Sequence, residues 1–212
     1  MRLARNRMFA HPEMETYLRE LTDRLHLLKL PLLLVGDVSP PRGGPMASGH
    51  NSHQIGLDID LWLRMSQRRP SVKERETWTA PSFVLQRKKL NAGWSATQSQ
   101  LIIAAADSPT VARIFVSPAI KRYFCDHFPT AAWQFRLRPW WGHEEHLHVR
   151  LTCPVGATRC VNQAPPTDNG CGADLDWWFS KEADDEWSKL ISDKAPRVFP
   201  DIPVACEDLP HR

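Results

Sequence analysis

Gly56-Leu57-Asp58-Ile59-Asp60-Leu61-Trp62-Leu63 alternates strictly between two faces. Leu57, Ile59, Leu61 and Leu63 point one way, and Asp58, Asp60 and Trp62 the other. A period of two predicts a half-buried strand with two carboxylates on its open face. Far downstream, His146-Leu147-His148-Val149-Arg150-Leu151 repeats the pattern, with His146, His148 and Arg150 opposite Leu147, Val149 and Leu151. Two strands whose open faces carry carboxylates and imidazoles can share one core and one site.

The histidines concentrate where these strands begin. Five of the chain's nine fall in the windows His50-Asn51-Ser52-His53 and His143-Glu144-Glu145-His146-Leu147-His148. Histidine together with carboxylate is the donor set a borderline metal such as zinc selects, and a catalytic zinc takes three protein donors and leaves a position for water. Residues two apart on a strand lie about 7 Å apart. His146 and His148 therefore read as a ligand and a neighbour able to move protons, with His148 and Asp60 the ligands from the two strands. His53, in the loop before the Asp60 strand, completes a His/Asp/His set. Asp58 faces the same way and reads as a partner for a nearby arginine.

Familiar alternatives fail on spacing. His143-Glu144-Glu145-His146 is one residue short of the helical H-E-x-x-H motif and precedes a strand. The chain has no glycine-rich phosphate loop and no G-x-S-x-G elbow. No cysteines stand in a C-x2-C pair, which argues against a structural zinc ribbon.

Outward from these strands the chain mixes short elements. Met14, Leu18, Leu21, Leu25 and Leu28 predict a helix over 12–28 with Pro12 in its first turn. A buried strand is expected at 31–36, a basic surface loop at 65–80, and a helix from the capping box Ser95-Ala96-Thr97-Gln98 to Ala106. Another strand follows at Val111 to Val116, then a helix from Pro118. The interleaving lacks βαβ regularity, so the fold class is α+β.

At 212 residues the chain has enough apolar content for one sizeable core. A formal charge of +3 makes no case for nucleic acid and is compatible with an anionic polymer. No apolar run is long enough for a membrane span, and nothing in the pattern speaks to oligomeric state. Of five cysteines, four (Cys153, Cys160, Cys171 and Cys206) lie in the last 60 residues among turn formers, a pattern of disulfide stapling in an oxidising compartment. We therefore divide the chain into a core over 1–152 that carries the candidate metal site and a stapled extension over 153–212 packed on the same domain.

The windows 52–60, 139–143 and 146–151, with Ala112 to Lys121 and Gly170 to Leu175, closely resemble the penicillin-insensitive murein endopeptidases over roughly residues 5–206. These belong to the zinc fold shared by lysostaphin, D-Ala-D-Ala peptidases and the Hedgehog signalling domain. The resemblance implies a small antiparallel sheet flanked by helices, and hydrolysis of D-Ala to meso-diaminopimelate crosslinks in periplasmic peptidoglycan. It implies His53, Asp60 and His148 as zinc ligands and His146 as general base or transition-state stabiliser. His50 is expected among the metal-binding residues as well, and with His143 it lines the cleft, with Trp141 beside Trp140 as a wall for glycan or stem.

In the family the counterpart of His50 also serves a second metal, together with an Asp-x2-His pair. Here that stretch reads Leu85-Gln86-Arg87-Lys88-Lys89-Leu90, so one zinc is expected. The resemblance pairs Cys125 with Cys171 and Cys153 with Cys160. It places the partner of Cys206 in an N-terminal stretch that, with a signal peptide, is expected upstream of Met1. Two alternatives stay open. Glu145 stands three residues before His148, the E-x-x-H of zinc D-Ala-D-Ala carboxypeptidases, which would make Glu145 the base. The chain could also be a non-catalytic zinc-containing module that binds murein.

Overall fold

A computed structural model describes residues 1–46 and 50–193. Its centre is a four-stranded sheet in the order β1-β6-β4-β5, built from β1 (Asp58–Trp62), β4 (Val111–Val116), β5 (Leu137–Pro139) and β6 (His146–Leu151). The two alternating segments pair directly and antiparallel, with Asp58 opposite Arg150, Asp60 opposite His148 and Trp62 opposite His146. On the other edge of β6, β4 also runs antiparallel and sets Phe115 opposite His148 and Arg113 opposite Arg150. Only β5 joins in parallel, along β4. The fold is α+β, as expected.

The apolar face of the sheet is buried beneath helices. Ile59, Leu61, Leu147, Val149 and Ile114 form one cluster with residues of α1 (Pro12–Leu27), α3 (Ala96–Ala106) and α4 (Pro118–His127). In α1, His11 caps the helix by accepting from Glu13 N–H, and Pro12 takes the first position, where its missing N–H costs nothing. Met14, Tyr17, Leu21 and Leu25 line its buried stripe, and the Tyr17 hydroxyl donates to the Ala105 carbonyl of α3 at 3.2 Å. Leu28 caps the helix and stays exposed, because the chain leaves the helix there. The Ser95–Gln98 capping box of α3 forms as read.

Three expectations change. Residues 31–36 form no regular strand; isolated bridges join Leu32 to Ser66 and Val35 to Leu61. Pro31 lacks a donor, and the segment instead serves the free edge of β1 irregularly, through Trp62 N–H to the Leu34 carbonyl and Gly36 N–H to the Asp60 carbonyl. The stretch 65–80 contains a short helix, α2 (Val72–Thr77), capped by a Ser71/Glu74 box. The β1 strand is buried on both faces, because the 36–39 segment and the 50–55 loop cover its carboxylates.

A short hairpin, β2 (Val84–Leu85) with β3 (Lys89–Leu90), stands apart from the main sheet. Beyond β6, α5 (Ala173–Trp177) and α6 (Lys181–Ser192) follow. Disulfides join Cys125 to Cys171, tying α4 to the approach to α5, and Cys153 to Cys160, closing the loop after β6. Cys206 lies outside the described residues.

Candidate metal centre

The pairing of β1 with β6 sets Asp60 beside His148 on the face away from the helices. The 50–56 loop folds over that face. His53 takes a left-handed backbone, φ 59°, which turns its ring inward, and Gly56 follows at φ 73°. A Cβ on Gly56 would meet the His11 backbone nitrogen at 2.6 Å, so only glycine lets the loop close against the start of α1. The result gathers donor atoms of His50, His53, Asp60 and His148 within 4.8 Å of one another.

Hydrogen bonds decide which atoms face inward. The Val38 carbonyl, which can only accept, lies 2.6 Å from His53 Nδ1, so that nitrogen carries the proton and Nε2 is left as a lone pair. The Asp58 carboxylate lies 2.9 Å from His148 Nε2, which fixes the proton of the neutral ring there and leaves Nδ1 as the nitrogen that a metal can take. These two bare nitrogens stand 3.0 Å apart, and Asp60 Oδ1 lies 3.1 Å from His53 Nε2 and 3.5 Å from His148 Nδ1. Two lone pairs and an anion converging in a buried space repel one another unless a cation lies between them. Tetrahedral zinc at bonds of 2.0–2.1 Å separates its donors by roughly 3.3 Å, so the triangle fits an ion of that size.

The surroundings hold this arrangement. Asp58 also accepts from Arg150 Nη1 at 3.1 Å, and the far oxygen of Asp60 lies 3.3 Å from His50 Nε2. His50 Nε2 in turn lies 3.4 Å from Asp37, which also pairs with Arg5 and Arg7. Burial works to raise Asp60, but the His148 and His53 rings beside it, which can share a proton with it when no metal is bound, hold it well below the usual carboxylate range. Burial likewise opposes the charged form of His148, and its bonds to Asp58 and Asp60 prevail, lifting it to about 9. The site therefore demands positive charge, from a proton if not from a metal.

The other expected residues border this group. His146 Nε2 approaches Asp60 Oδ1 at 3.7 Å without joining the donor cluster, and burial lowers its pKa, favouring the neutral ring. His143 donates from Nδ1 to the Trp141 carbonyl at 2.8 Å; burial, then His146 and His148, hold its pKa at about 3. Glu145 lies 3.9 Å from His146 Nδ1, the other nitrogen of that ring from the one facing Asp60. A cleft of about 740 Å³ opens over His50, His143 and His148 with Trp140 and Trp141 in its wall. A smaller cavity of about 290 Å³ reaches Asp60, His146 and Glu145, and His50 borders both.

Asp37 and Arg113 escaped the reading of the sequence. Asp37 follows an apolar run with nothing periodic to mark it, and Arg113 is one of many arginines; the cleft alone singles them out.

Comparison with known proteins agrees with this geometry. The sequence model of a family described as penicillin-insensitive murein endopeptidase matches residues 1–210. A protein of that name from Haemophilus influenzae is 39% identical over 217 residues, covering 99% of this chain and 73% of the relative. Its namesake from Klebsiella pneumoniae is 38% identical, covering 99% and 76%, and that from Yersinia enterocolitica 35% identical, covering 99% and 75%.

Proposed function

The chain belongs to the penicillin-insensitive murein endopeptidase family, and we propose that it is a periplasmic zinc enzyme hydrolysing D-Ala to meso-diaminopimelate crosslinks of peptidoglycan. The observation that carries the reading is the buried triangle of His53 Nε2, His148 Nδ1 and Asp60 Oδ1, two bare imidazole nitrogens and a carboxylate at zinc-donor spacing. Histidine and carboxylate donors suit zinc, and three of them leave a position open toward the cleft.

Zinc held there supplies Lewis acidity for the scissile carbonyl and a water of lowered pKa. His146, kept neutral by burial at the edge of the donor group, takes the proton of the attacking water and passes it to the leaving amine. His50 steadies the second oxygen of Asp60. His143, uncharged at neutral pH, and the Trp140–Trp141 wall receive the stem peptide in the larger cleft. No serine takes part in this scheme, which accounts for indifference to β-lactams. A two-zinc arrangement would need further donors near His50; among the described residues the carboxylate beside it other than Asp60 is Asp37, already paired with Arg5 and Arg7, so one zinc is the reading we hold.

The test is incubation with a purified crosslinked muropeptide dimer in the presence of a β-lactam, with products separated by chromatography. Monomers that vanish with a chelator or with His148→Ala support the endopeptidase. Free D-alanine from an intact dimer would replace it with the carboxypeptidase and make Glu145 the base. Zinc retained at His53, Asp60 and His148 without any product would replace it with the binding module.

A further inference from the structure

Three guanidinium groups meet beside the cleft, and two have their charge answered. Arg150 bonds the Asp58 carboxylate at 3.1 Å, and Arg138 bonds Asp168 at 2.8 Å. Arg113 has no carboxylate within ion-pair distance among the described residues. Its Nη1 donates to Gln163 Oε1 at 3.1 Å and its Nη2 to the Ala164 carbonyl, both neutral acceptors. A guanidinium carries five N–H donors, so further donors remain for a ligand. Arg113 lines the 740 Å³ cleft together with His148 and His50, and also a neighbouring cavity of about 230 Å³. Burial, then the nearby Arg138 and Arg150, disfavour its charge, a cost that a bound anion would relieve.

We propose that Arg113 receives the free carboxylate of the diaminopimelate residue whose amine leaves, and so selects crosslinks in which that carboxylate is unmodified. The proposal rests on the endopeptidase reading, because it takes the substrate from it. In that substrate the carbon bearing the leaving nitrogen also bears a carboxylate. The carboxylate carbon then lies roughly 3–4 Å from the carbonyl carbon under attack. A guanidinium paired with it adds roughly 4 Å. Arg113 stands opposite Arg150, which is two residues along β6 from His148, a same-face step of roughly 7 Å. Arg113 and His148 line the same cleft, so one substrate can meet both. A bidentate guanidinium–carboxylate pair also fixes orientation, which a surface lysine does not.

The test compares two crosslinked dimers, identical except that the acceptor diaminopimelate carries either the free carboxylate or its amide. The zinc-loaded enzyme is expected to prefer the free carboxylate by roughly 10- to 100-fold in kcat/KM, mainly through KM, the loss typical of one charged hydrogen-bonded pair. Arg113→Gln should bring the two dimers within about threefold of each other, and Arg113→Lys should fall between. Calorimetric binding of both dimers to chelator-treated protein should show the same preference and the same loss, with no turnover required. Equal treatment of the dimers by the wild type, or a preference that survives Arg113→Gln, overturns the proposal. Absence of hydrolysis of either dimer would count against the endopeptidase reading, while the binding comparison still decides the role of Arg113. Should Arg113→Gln fail to fold because Gln163 and Ala164 lose their donor, Arg113→Lys decides alone, and an undiminished preference there refutes recognition by the forked group.

Discussion

Replacing Asp58 by asparagine is the most discriminating change near the centre, because it keeps the shape and alters only charge and proton logic. Asp58 is 1% exposed, accepts from His148 Nε2 at 2.9 Å and pairs with Arg150 at 3.1 Å. A carboxylate can only accept, which forces the His148 proton onto Nε2 and leaves Nδ1 to a metal. A carboxamide offers one oxygen for the two donors. If the oxygen goes to Arg150, the amide N–H faces His148 Nε2 and drives the proton to Nδ1, against His53 and Asp60. If it goes to His148, the tautomer survives but the imidazole loses its anionic partner, and Arg150 faces an N–H. Outer partners of metal-bound histidines are worth 10- to 100-fold in metal affinity. Asp58→Asn should therefore weaken zinc binding by about 1.4–2.7 kcal/mol. Competition against a chromophoric chelator measures this directly. Arg150→Gln, which leaves the Asp58–His148 contact in place, should have a smaller effect. Zinc affinity within threefold of wild type in Asp58→Asn would refute the argument that Asp58 orients His148.

Four further outcomes can be checked. His53→Ala removes one corner of the donor triangle and should abolish both stoichiometric zinc, read by metal analysis, and muropeptide cleavage. Gly56→Ala places a Cβ 2.6 Å from the His11 nitrogen at φ 73°, so a loss of about 1–3 kcal/mol is expected in urea melts, with weaker zinc binding as the His53 loop shifts. The Cys125–Cys171 bond closes a separation of 46 residues and Cys153–Cys160 one of 7; loop entropy gives about 4 and about 2 kcal/mol respectively, so double serine variants should differ in that order. Burial, then Arg138, push Lys121 down to about 7 from 10.5. The unfolded chain then holds more protons between those values, so this group adds stability as pH rises from about 7 to 10.5, and a Lys121→Met variant should lose that slope in melts across the window.

Local patterns carried much of this molecule. The period of two in 57–63 and 146–151 records which side chains face the helices, because neighbouring side chains on a strand must point to opposite faces. The α1 stripe and the capping box at Ser95 are equally local. The same kind of signal, Ser71-Val72-Lys73-Glu74, was present for α2 and lay hidden in a basic stretch without an apolar stripe. Donor chemistry was legible as well, since histidine and carboxylate are ligands wherever they stand.

Tertiary structure decided the rest. Only the register of β1 on β6 brings Asp60 level with His148. Only packing places the Val38 carbonyl on His53 and Asp58 on His148, and those contacts choose which nitrogens are bare. The burial of Asp58 and Asp60, the irregular edge at 31–36, and the setting of Asp37 and Arg113 likewise depend on segments distant in sequence. The physical reason is range: side-chain direction and ligand type belong to a residue and its neighbours, whereas proton positions, charge balance and donor spacing arise from groups that meet only when the chain has folded.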